Sequence, residues 1–361
     1  MIAGIVDTIL LFTYFYPLFM AYLWIFGGIY YRLHWEKHDG ESWEAPNPLP
    51  FYPKVTILLP CHNEGDLVVE TLSFLLDQDY PDYDIIAIND GSTDNTGEIL
   101  DGLVAQHERL RVIHLASNQG KAVALNTGAL MTDSEYLVCI DGDALLDRHA
   151  THWMMSHFVH SPRVGAVTGN PRIRNRTSLL GKIQVGEFSC IIGMIKRAQR
   201  VYGRVFTVSG VVAAFRKTAL QRIGYWNNDM VTEDIDVSWR LQLNHWDVRF
   251  EPNAMCWILM PETLRGLWRQ RTRWAQGGAE TWLRYVGSML NWKKRRMWVV
   301  ALEYIVSVIW SYTLFAVAVL WVVGQFVTLP SYITLPSLMP GWTGVILGCT
   351  CLLQFAVSLL I

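Results

Sequence analysis

Residues 136–143 read YLVCIDGD, an unbroken apolar run that ends in two aspartates separated by one glycine. Apolar runs without polar alternation are typical of strands buried on both faces of a parallel sheet. We therefore predict that this run is a central strand. Four similar runs predict its neighbours: VTILL at 55–59, IIAI at 85–88, VIHL at 112–115 and VGAV at 164–167.

The segments between these runs have helical composition, at 66–76, 95–106 and 121–132, and Ser92 and Thr93 are the expected N-caps of the second. Alternation of strands and helices between about 52 and 242 predicts an α/β domain with a mostly parallel sheet. Ligands of such sheets bind beyond the carboxyl ends of the strands. Four polar residues follow predicted strands at that edge: Asn63, Glu64, Asp90 and Asp141.

No GxGxxG loop opens the first helix and no GxxxxGK[ST] loop is present, which argues against a dinucleotide cofactor and a P-loop NTPase. Asp141 and Asp143 could instead hold Mg²⁺ or Mn²⁺ against a diphosphate, with Gly142 allowing a tight bend. An ordinary turn is the alternative. The sequence thus favours a nucleotide held through carboxylates and a metal.

Asp90 is a candidate acceptor for the imide of a uracil base, although an Asx-turn gives the same Asp-Gly pair. Lys121 is a candidate diphosphate ligand, or a helix-start lysine on a solvated face. Asp234 is the candidate base that deprotonates an attacking hydroxyl, since in-line sugar transfer needs one such carboxylate. Acidic residues at a helix N-terminus are an equally good explanation of Glu233 and Asp234.

Gln270, Arg273 and Trp274 lie in an amphipathic segment at 263–285. Arg273 could bind a diphosphate bidentately and Trp274 could stack on a sugar ring. Either could also be a membrane anchor. We predict that the segment is a helix in the membrane interface, and a soluble amphipathic helix is the alternative.

Three segments are long and apolar enough to span a membrane: 8–31, 304–328 and 341–361. Basic residues flank the central region, which predicts a cytoplasmic catalytic domain. They are Arg32, Lys37, Lys293, Lys294, Arg295 and Arg296.

The formal net charge of -2 gives no indication of a nucleic-acid partner. The six cysteines lack paired spacing, so Cys61 and Cys139 are expected to be small core residues in a reducing compartment.

In order and spacing, Asp90, Asp141/Asp143, Thr232-Glu233-Asp234 and Gln270/Arg273/Trp274 resemble the motif series of the family 2 glycosyltransferases, particularly the processive membrane synthases. The stretches VCIDGDALLD, VGAVTGNPRIR, FTVSGVVAAFRK and QRTRWAQGGAE are similar to the branch that makes poly-β-1,6-N-acetylglucosamine, a biofilm exopolysaccharide.

This resemblance implies a GT-A-type domain that polymerises N-acetylglucosamine from UDP-N-acetylglucosamine with Mg²⁺ (or Mn²⁺) and exports the chain across a bacterial inner membrane. A small accessory membrane subunit, in some bacteria under cyclic di-GMP control, is the implied partner. The implied catalytic residues are Thr232, Glu233 and Asp234, the metal ligands Asp141 and Asp143, and the substrate-binding residues Asn63, Glu64, Asp90, Lys121, Asp141, Gln270, Arg273 and Trp274.

The expected division is a membrane helix at 1–35, the glycosyltransferase domain at 50–260, the interface helix region at 261–296 and two membrane helices at 297–361. Members of the branch usually continue through a further span and a basic tail, so truncation or a different span count is expected, which puts export in doubt. The alternatives are a synthase of hyaluronan, chitin or cellulose type, a non-processive lipid-linked sugar transferase, an inactive nucleotide-binding membrane sensor, and a channel or transporter.

Overall fold

The structure is a computed structural model that describes residues 2–36, 44–328, 330 and 341–361. Lys37, which was expected to flank the first membrane helix, lies outside these residues. The strands are β1 (Val55–Cys61), β2 (Tyr83–Asp90), β3 (Leu110–Leu115), β4 (Tyr136–Ile140), β5 (Leu145–Leu146), β6 (Val164–Ile173), β7 (Val212–Arg216) and β8 (Asp247–Ile258).

The helices fall into two groups, those that cover the sheet and those that are long enough to leave it. The first are α2 (Val68–Leu76), α3 (Thr96–Val104), α4 (Lys121–Leu130), α5 (Ala150–His160), α6 (Leu179–Phe188), α7 (Lys196–Val201), α8 (Lys217–Ile223) and α9 (Glu233–Leu243). The second are α1 (Ile2–Tyr31), α10 (Leu264–Met289), α11 (Trp298–Gly324) and α12 (Gly341–Leu360).

The eight strands form one sheet in the order β3-β2-β1-β4-β7-β6-β8-β5. β1 pairs in parallel with β2 and β4, and β2 with β3, as the apolar runs predicted. β7 is antiparallel to both β4 and β6, and β5 is antiparallel to β8. β6 pairs in parallel with β8, so four pairings are parallel and three antiparallel, and the sheet is mixed but mostly parallel.

Register brings the carboxyl ends of the parallel strands together. Cys61 lies opposite Asn89 across the β1–β2 pair, so residues 62–64 and 90 leave the same edge. Every β4 residue is buried, as its unbroken apolar sequence predicted. Cys61 and Cys139 are both buried and free, which confirms that they are core residues.

Among the described residues, three helices are long and apolar enough to cross a membrane, in the segments Gly4–Glu36, Trp292–Gly324 and Trp342–Leu360. The second helix begins at Trp298, six residues before the predicted start at 304, and so includes Glu303. Trp24 in α1 donates to Glu303 Oε1 over 3.1 Å, which pairs α1 with α11.

One continuous helical rod, residues 179–201, lies between the sheet and the membrane helices. Its central turn, Ser189–Ile195, is π-helical and joins α6 to α7. A side chain at Gly27 of α1 would come within 2.7 Å of Ala198 Cβ, so the small residue permits close contact of α1 with α7. The rod thereby fixes the catalytic domain to the first membrane helix.

Candidate functional site

A cavity of about 590 Å³ opens at the carboxyl ends of β1, β2 and β4 and is closed on its other side by α9, α10 and the rod. Nearly every residue singled out from the sequence lines it. They are Glu64, Asp90, Lys121, Asp141, Asp143, Thr232, Glu233, Asp234, Gln270, Arg273 and Trp274.

Asp90 fixes the loop that precedes α4. Its two carboxylate oxygens accept hydrogen bonds from the backbone amides of Gln119 and Gly120, each over 2.8 Å. Asn89, which precedes Asp90, holds the turn after β2, because its Oδ1 accepts from the Ser92 amide over 3.1 Å. The Asx-turn explanation therefore applies to Asn89, and Asp90 faces the cavity.

Asn63 is the one predicted site residue outside the cavity lining. Its side-chain Oδ1 accepts from the Thr93 backbone amide over 2.8 Å, and its backbone amide donates to Ser92 Oγ over 3.0 Å. The prediction that Ser92 and Thr93 cap α3 is wrong, because the Ser92 hydroxyl and the Thr93 amide instead form hydrogen bonds with Asn63 in the loop after β1. Asp94 Oδ1 instead accepts from the Thr96 amide, at the start of α3, over 3.0 Å.

Three carboxylates crowd the end of β4. Burial, then Asp143 and Asp141, raise the pKa of Glu64 to about 7. Burial, then Asp141, raise the pKa of Asp143 above its ordinary value. A side chain at Gly142 would come within 3.0 Å of Glu64 Cγ and 3.1 Å of the Pro60 carbonyl oxygen. The Asp141 carbonyl accepts from the Ala144 amide over 3.2 Å, so residues 141–144 form the expected tight turn, and the glycine also leaves room for Glu64 and Pro60.

These carboxylates suit one hard divalent cation. No carboxylate oxygen of Asp143 or Glu64 has a hydrogen bond or ion pair with another side chain in the part of the chain that the structure describes. Within the same residues, no three His, Cys, Asp or Glu side chains form a metal-binding group. Mg²⁺ commonly takes one or two carboxylates and completes its shell with phosphate oxygens and water. Asp141 and Asp143 fit that chemistry.

Lys121 lies inside the cavity, at the start of α4. Its ammonium group contacts Asp141 and donates to the Gly210 carbonyl over 2.7 Å, and it lies 3.3 Å from Glu233 Oε1. Burial opposes the charged form, but Asp141 and Glu233 outweigh it and raise the pKa of Lys121. The positively charged Lys121 thus lies between the β4 carboxylates and the start of α9 and contacts both.

Asp234 is held in place at the first turn of α9. Its Oδ2 accepts from the Gly210 amide over 3.1 Å and its Oδ1 from the Ile235 amide over 2.9 Å. Burial, then Glu233, raise the pKa of Asp234 to about 6, although Lys121 and Lys196 act in the opposite sense. The carboxylate is therefore basic enough to accept a proton near neutral pH and still ionised there.

Thr232 joins α9 to α10. A side chain at Gly277 of α10 would come within 1.8 Å of Thr232 Oγ1. That hydroxyl is buried and has no hydrogen-bond partner in the part of the chain that the structure describes. The contact brings the middle of α10 against the start of α9, which is why the two motifs share one cavity.

Gln270, Arg273 and Trp274 occupy one face of α10, as their helical spacing requires. Trp274 packs against Phe188 of the rod, with ring centroids 6.2 Å apart, and Arg271 lies 4.3 Å above its ring. Arg273 makes no ion pair with any other residue that the structure describes. These side chains line the cavity, so the anchor explanation suits Trp268 better, which is 75% exposed.

Two basic lining residues, His62 and Lys196, were missed in the sequence. His62 follows β1 directly, and its Nδ1 lies 2.9 Å from the Asp90 carbonyl oxygen. The rule that strand ends carry ligands would have found it. Lys196, in α7, is 4% exposed and its Nζ donates to Thr168 Oγ1 over 3.0 Å. Burial lowers the pKa of Lys196 to about 7.

Comparison with known proteins agrees with the motif series. A family model described as glycosyltransferase like family 2 matches residues 53–277. Poly-beta-1,6-N-acetyl-D-glucosamine synthase of Staphylococcus epidermidis is 46% identical over 301 residues, which cover 83% of this chain and 73% of the relative. The synthase of Staphylococcus aureus strain MSSA476 is 44% identical over the same coverage.

A solved structure supports the fold. The mannosyltransferase PcManGT from Pyrobaculum calidifontis, in complex with GDP-Man and Mn²⁺, superposes with a TM-score of 0.70 at 20% identity. The match covers 100% of this chain and 98% of that chain. The sheet and its membrane-associated helices therefore have the architecture of a GT-A glycosyltransferase.

Proposed function

The chain belongs to family 2 of the glycosyltransferases, and on that basis we propose that it polymerises N-acetylglucosamine from UDP-N-acetylglucosamine into a β-1,6-linked chain. Its homologues at 44–46% identity are named as the synthases of that polymer. The observation that carries the proposal is the convergence of the β4 carboxylates and a separately held, partly buried Asp234 on one cavity.

In the proposed reaction the acceptor hydroxyl attacks the anomeric carbon of the donor sugar while the bond to UDP breaks. Asp234 removes the proton from the attacking oxygen, which makes the displacement a single inverting step. Its position supports this role, since the Gly210 and Ile235 amides orient the carboxylate. Glu233 and Thr232 are proposed to act with it, Glu233 by raising its pKa and Thr232 through the contact with Gly277.

The UDP part of the donor is proposed to lie along the strand ends. Asp90 would bind the uracil beside Glu64, and Asn63 would act from outside the lining by holding the Ser92–Thr93 loop. Lys121 and Arg273 would face the diphosphate with positive charge. Asp141 and Asp143 would hold Mg²⁺, which neutralises the charge of the departing diphosphate when it is bound.

The acceptor end of the polymer is proposed to rest against α10. Trp274 offers an aromatic ring beside Phe188, a surface suited to the face of a sugar ring. Gln270 has a buried amide oxygen without a partner, which suits a sugar hydroxyl.

We place the catalytic domain on the cytoplasmic side of the bacterial inner membrane. The basic turn Trp292–Met297 directly precedes α11, and Arg32 directly follows α1, in agreement with the positive-inside rule. The expected accessory subunit and its cyclic di-GMP control rest on the resemblance alone, and co-purification of the membrane complex tests them.

The experiment is a donor panel. The full chain in proteoliposomes is given UDP-N-acetylglucosamine, UDP-glucose or UDP-glucuronate, with Mg²⁺, Mn²⁺ or a chelator. The expected result is metal-dependent release of UDP from UDP-N-acetylglucosamine alone, and a polymer cut by a β-1,6-specific hexosaminidase. Turnover of another donor would overturn the assigned sugar, and product resistant to that hexosaminidase would overturn the linkage.

A further inference from the structure

A second and larger cavity, of about 1060 Å³, lies between the end of α1 and the sheet. It shares no lining residue with the first cavity. β6, β8, α5 and α7 form its walls, and the turn Arg32–Glu36 forms its membrane-side rim. The Tyr31 hydroxyl donates to the Phe250 carbonyl over 3.3 Å and fixes that rim to β8.

The lining of this cavity is strongly basic. Five arginines face two carboxylates, which leaves an excess of three positive charges with the histidines neutral. Both carboxylates are already engaged, Glu36 with Arg197 over 2.7 Å and Glu251 with His157 over 2.8 Å. The five arginines are Arg32, Arg172, Arg197, Arg200 and Arg249.

Two of these arginines form no ion pair with a described residue, although the Asp247 carboxylate acts to raise the pKa of Arg249. Neither the Arg172 nor the Arg249 side chain makes a hydrogen bond or ion pair with another residue in the described part of the chain, and Arg249 Nε is fully buried. Burial, then Arg197, lower the pKa of Arg172, and burial, then Arg200, lower that of Arg249. Arg200 Nε is also fully buried and has no hydrogen-bond partner among the described residues, while its Nη1 donates to the Val248 carbonyl over 3.0 Å.

Buried charge without a partner is costly, and a guanidinium offers the planar pair of donors that suits a phosphate. The cavity lies beside the last turn of a candidate membrane helix, where phosphate-bearing headgroups are found. Trp35, on the same rim, is 53% exposed and suits the interface. These features indicate that the cavity binds a further anion, one larger than the carboxylates of Glu36 and Glu251.

We propose that this cavity binds a phosphate ester through Arg172, Arg200 and Arg249, separately from sugar transfer. A phospholipid headgroup and a soluble phosphate ester offer the same chemistry. The site lies outside the catalytic cavity, so its failure would leave the proposed function untouched.

The test compares ligands on the purified full chain in detergent. Thermal unfolding is followed by tryptophan fluorescence with added phosphatidylglycerol, phosphatidylcholine or glycerol 3-phosphate. Phosphatidylglycerol is expected to raise Tm above the value in phosphatidylcholine. An equal rise with glycerol 3-phosphate would support the phosphate site and assign it to a soluble ester.

The Arg172→Gln/Arg249→Gln variant removes the two unpaired charges, and Lys293→Gln/Lys294→Gln removes two lysine charges elsewhere at the interface. The first variant is expected to bind the phosphate compound about tenfold more weakly or worse and to lose the Tm rise, because charge-assisted hydrogen bonds are lost. The second variant should keep the rise.

Without phosphate, the arginine variant should unfold at or above the wild-type temperature, because removal of like charges relieves their repulsion. A much lower Tm there would show that the arginines support the fold and would overturn the proposal. A phosphatidylglycerol effect that persists in the arginine variant would overturn it as well.

Discussion

The two sides of the catalytic cavity are built by different means. The strand-end side, defined as Glu64, Asp90, Asp141 and Asp143, consists of carboxylates at one edge of the sheet. The helix side, defined as Thr232, Asp234, Gln270, Arg273 and Trp274, comes from α9 and α10.

The strand-end side is fixed by the register of buried parallel strands, so its geometry belongs to the sheet. The helix side depends on helix packing, through Gly277 against Thr232 and through Gly278, where an added Cβ would come within 3.2 Å of the Tyr304 ring. Through Tyr304, α10 also contacts the membrane helix α11. With the proposed roles, donor binding would rest mainly on the sheet, with Arg273 added from α10, and turnover would rest on helices that contact the membrane helix α11.

Loss of the base should have the largest effect. Asp234→Asn removes proton abstraction, and turnover should fall by roughly 10²–10⁴-fold in a UDP-release assay at saturating donor. Asp229→Asn is the matched control, because Asp229 pairs only with Arg284 at the surface. Comparable losses in both variants would show that Asp234 has no special role.

Loss of a proposed metal ligand should impair donor binding at the strand-end side of the cavity. Asp143→Asn should weaken Mg²⁺-dependent UDP binding by at least roughly 10–100-fold, the range seen when a group supporting a metal site is removed. Equilibrium binding of UDP with Mg²⁺ and with chelator measures this. The exposed Asp133→Asn serves as control. UDP affinity that is equal with and without metal in the wild type would contradict the metal assignment.

The packing of α9 against α10 should be sensitive to the addition of one methyl group. In Gly277→Ala the new Cβ collides with Thr232, so we expect a stability loss of about 1–3 kcal/mol and a lower kcat. Gly287→Ala, on the same helix with open space at its Cβ, should be neutral or stabilising by up to about 1 kcal/mol. Equal Tm values for the two variants would refute the close packing.

The smallest effect is the pH dependence. The pKa of Asp234 is raised to about 6, so its base form is nearly complete at pH 8 and half populated near pH 6. With saturating donor and Mg²⁺, kcat should fall about twofold from pH 8 to pH 6 and about tenfold by pH 5. A kcat that stays constant across this range would remove Asp234 from the proton transfer.

The parallel half of the sheet could be predicted from sequence because its signal is local. β4 matches residues 136–140, and β1, β2 and β3 begin within two residues of their predicted starts. β7 and β8 were missed, since the place of β7 between β4 and β6 depends on antiparallel pairing of distant segments. β8 also contains Pro252 and charged residues, and so lacks an unbroken apolar run.

The residues of the site can also be divided into those with a local sequence signal and those without one. Strand-end carboxylates could be found by position, and His62 would have followed from the same rule. Asp234 could not be decided, because an acidic first turn serves a helix equally well, and the structure shows it both in that turn and in the cavity. Lys196 gave no local signal, since its burial comes from packing of the rod against the sheet.

The most direct test of the division between donor binding and turnover is calorimetric UDP binding by Asp234→Asn, with and without Mg²⁺, on a preparation also assayed for polymer. We predict wild-type, Mg²⁺-dependent UDP affinity together with loss of synthesis. A loss of UDP affinity as large as that of Asp143→Asn, or polymer made at the wild-type rate, would contradict it.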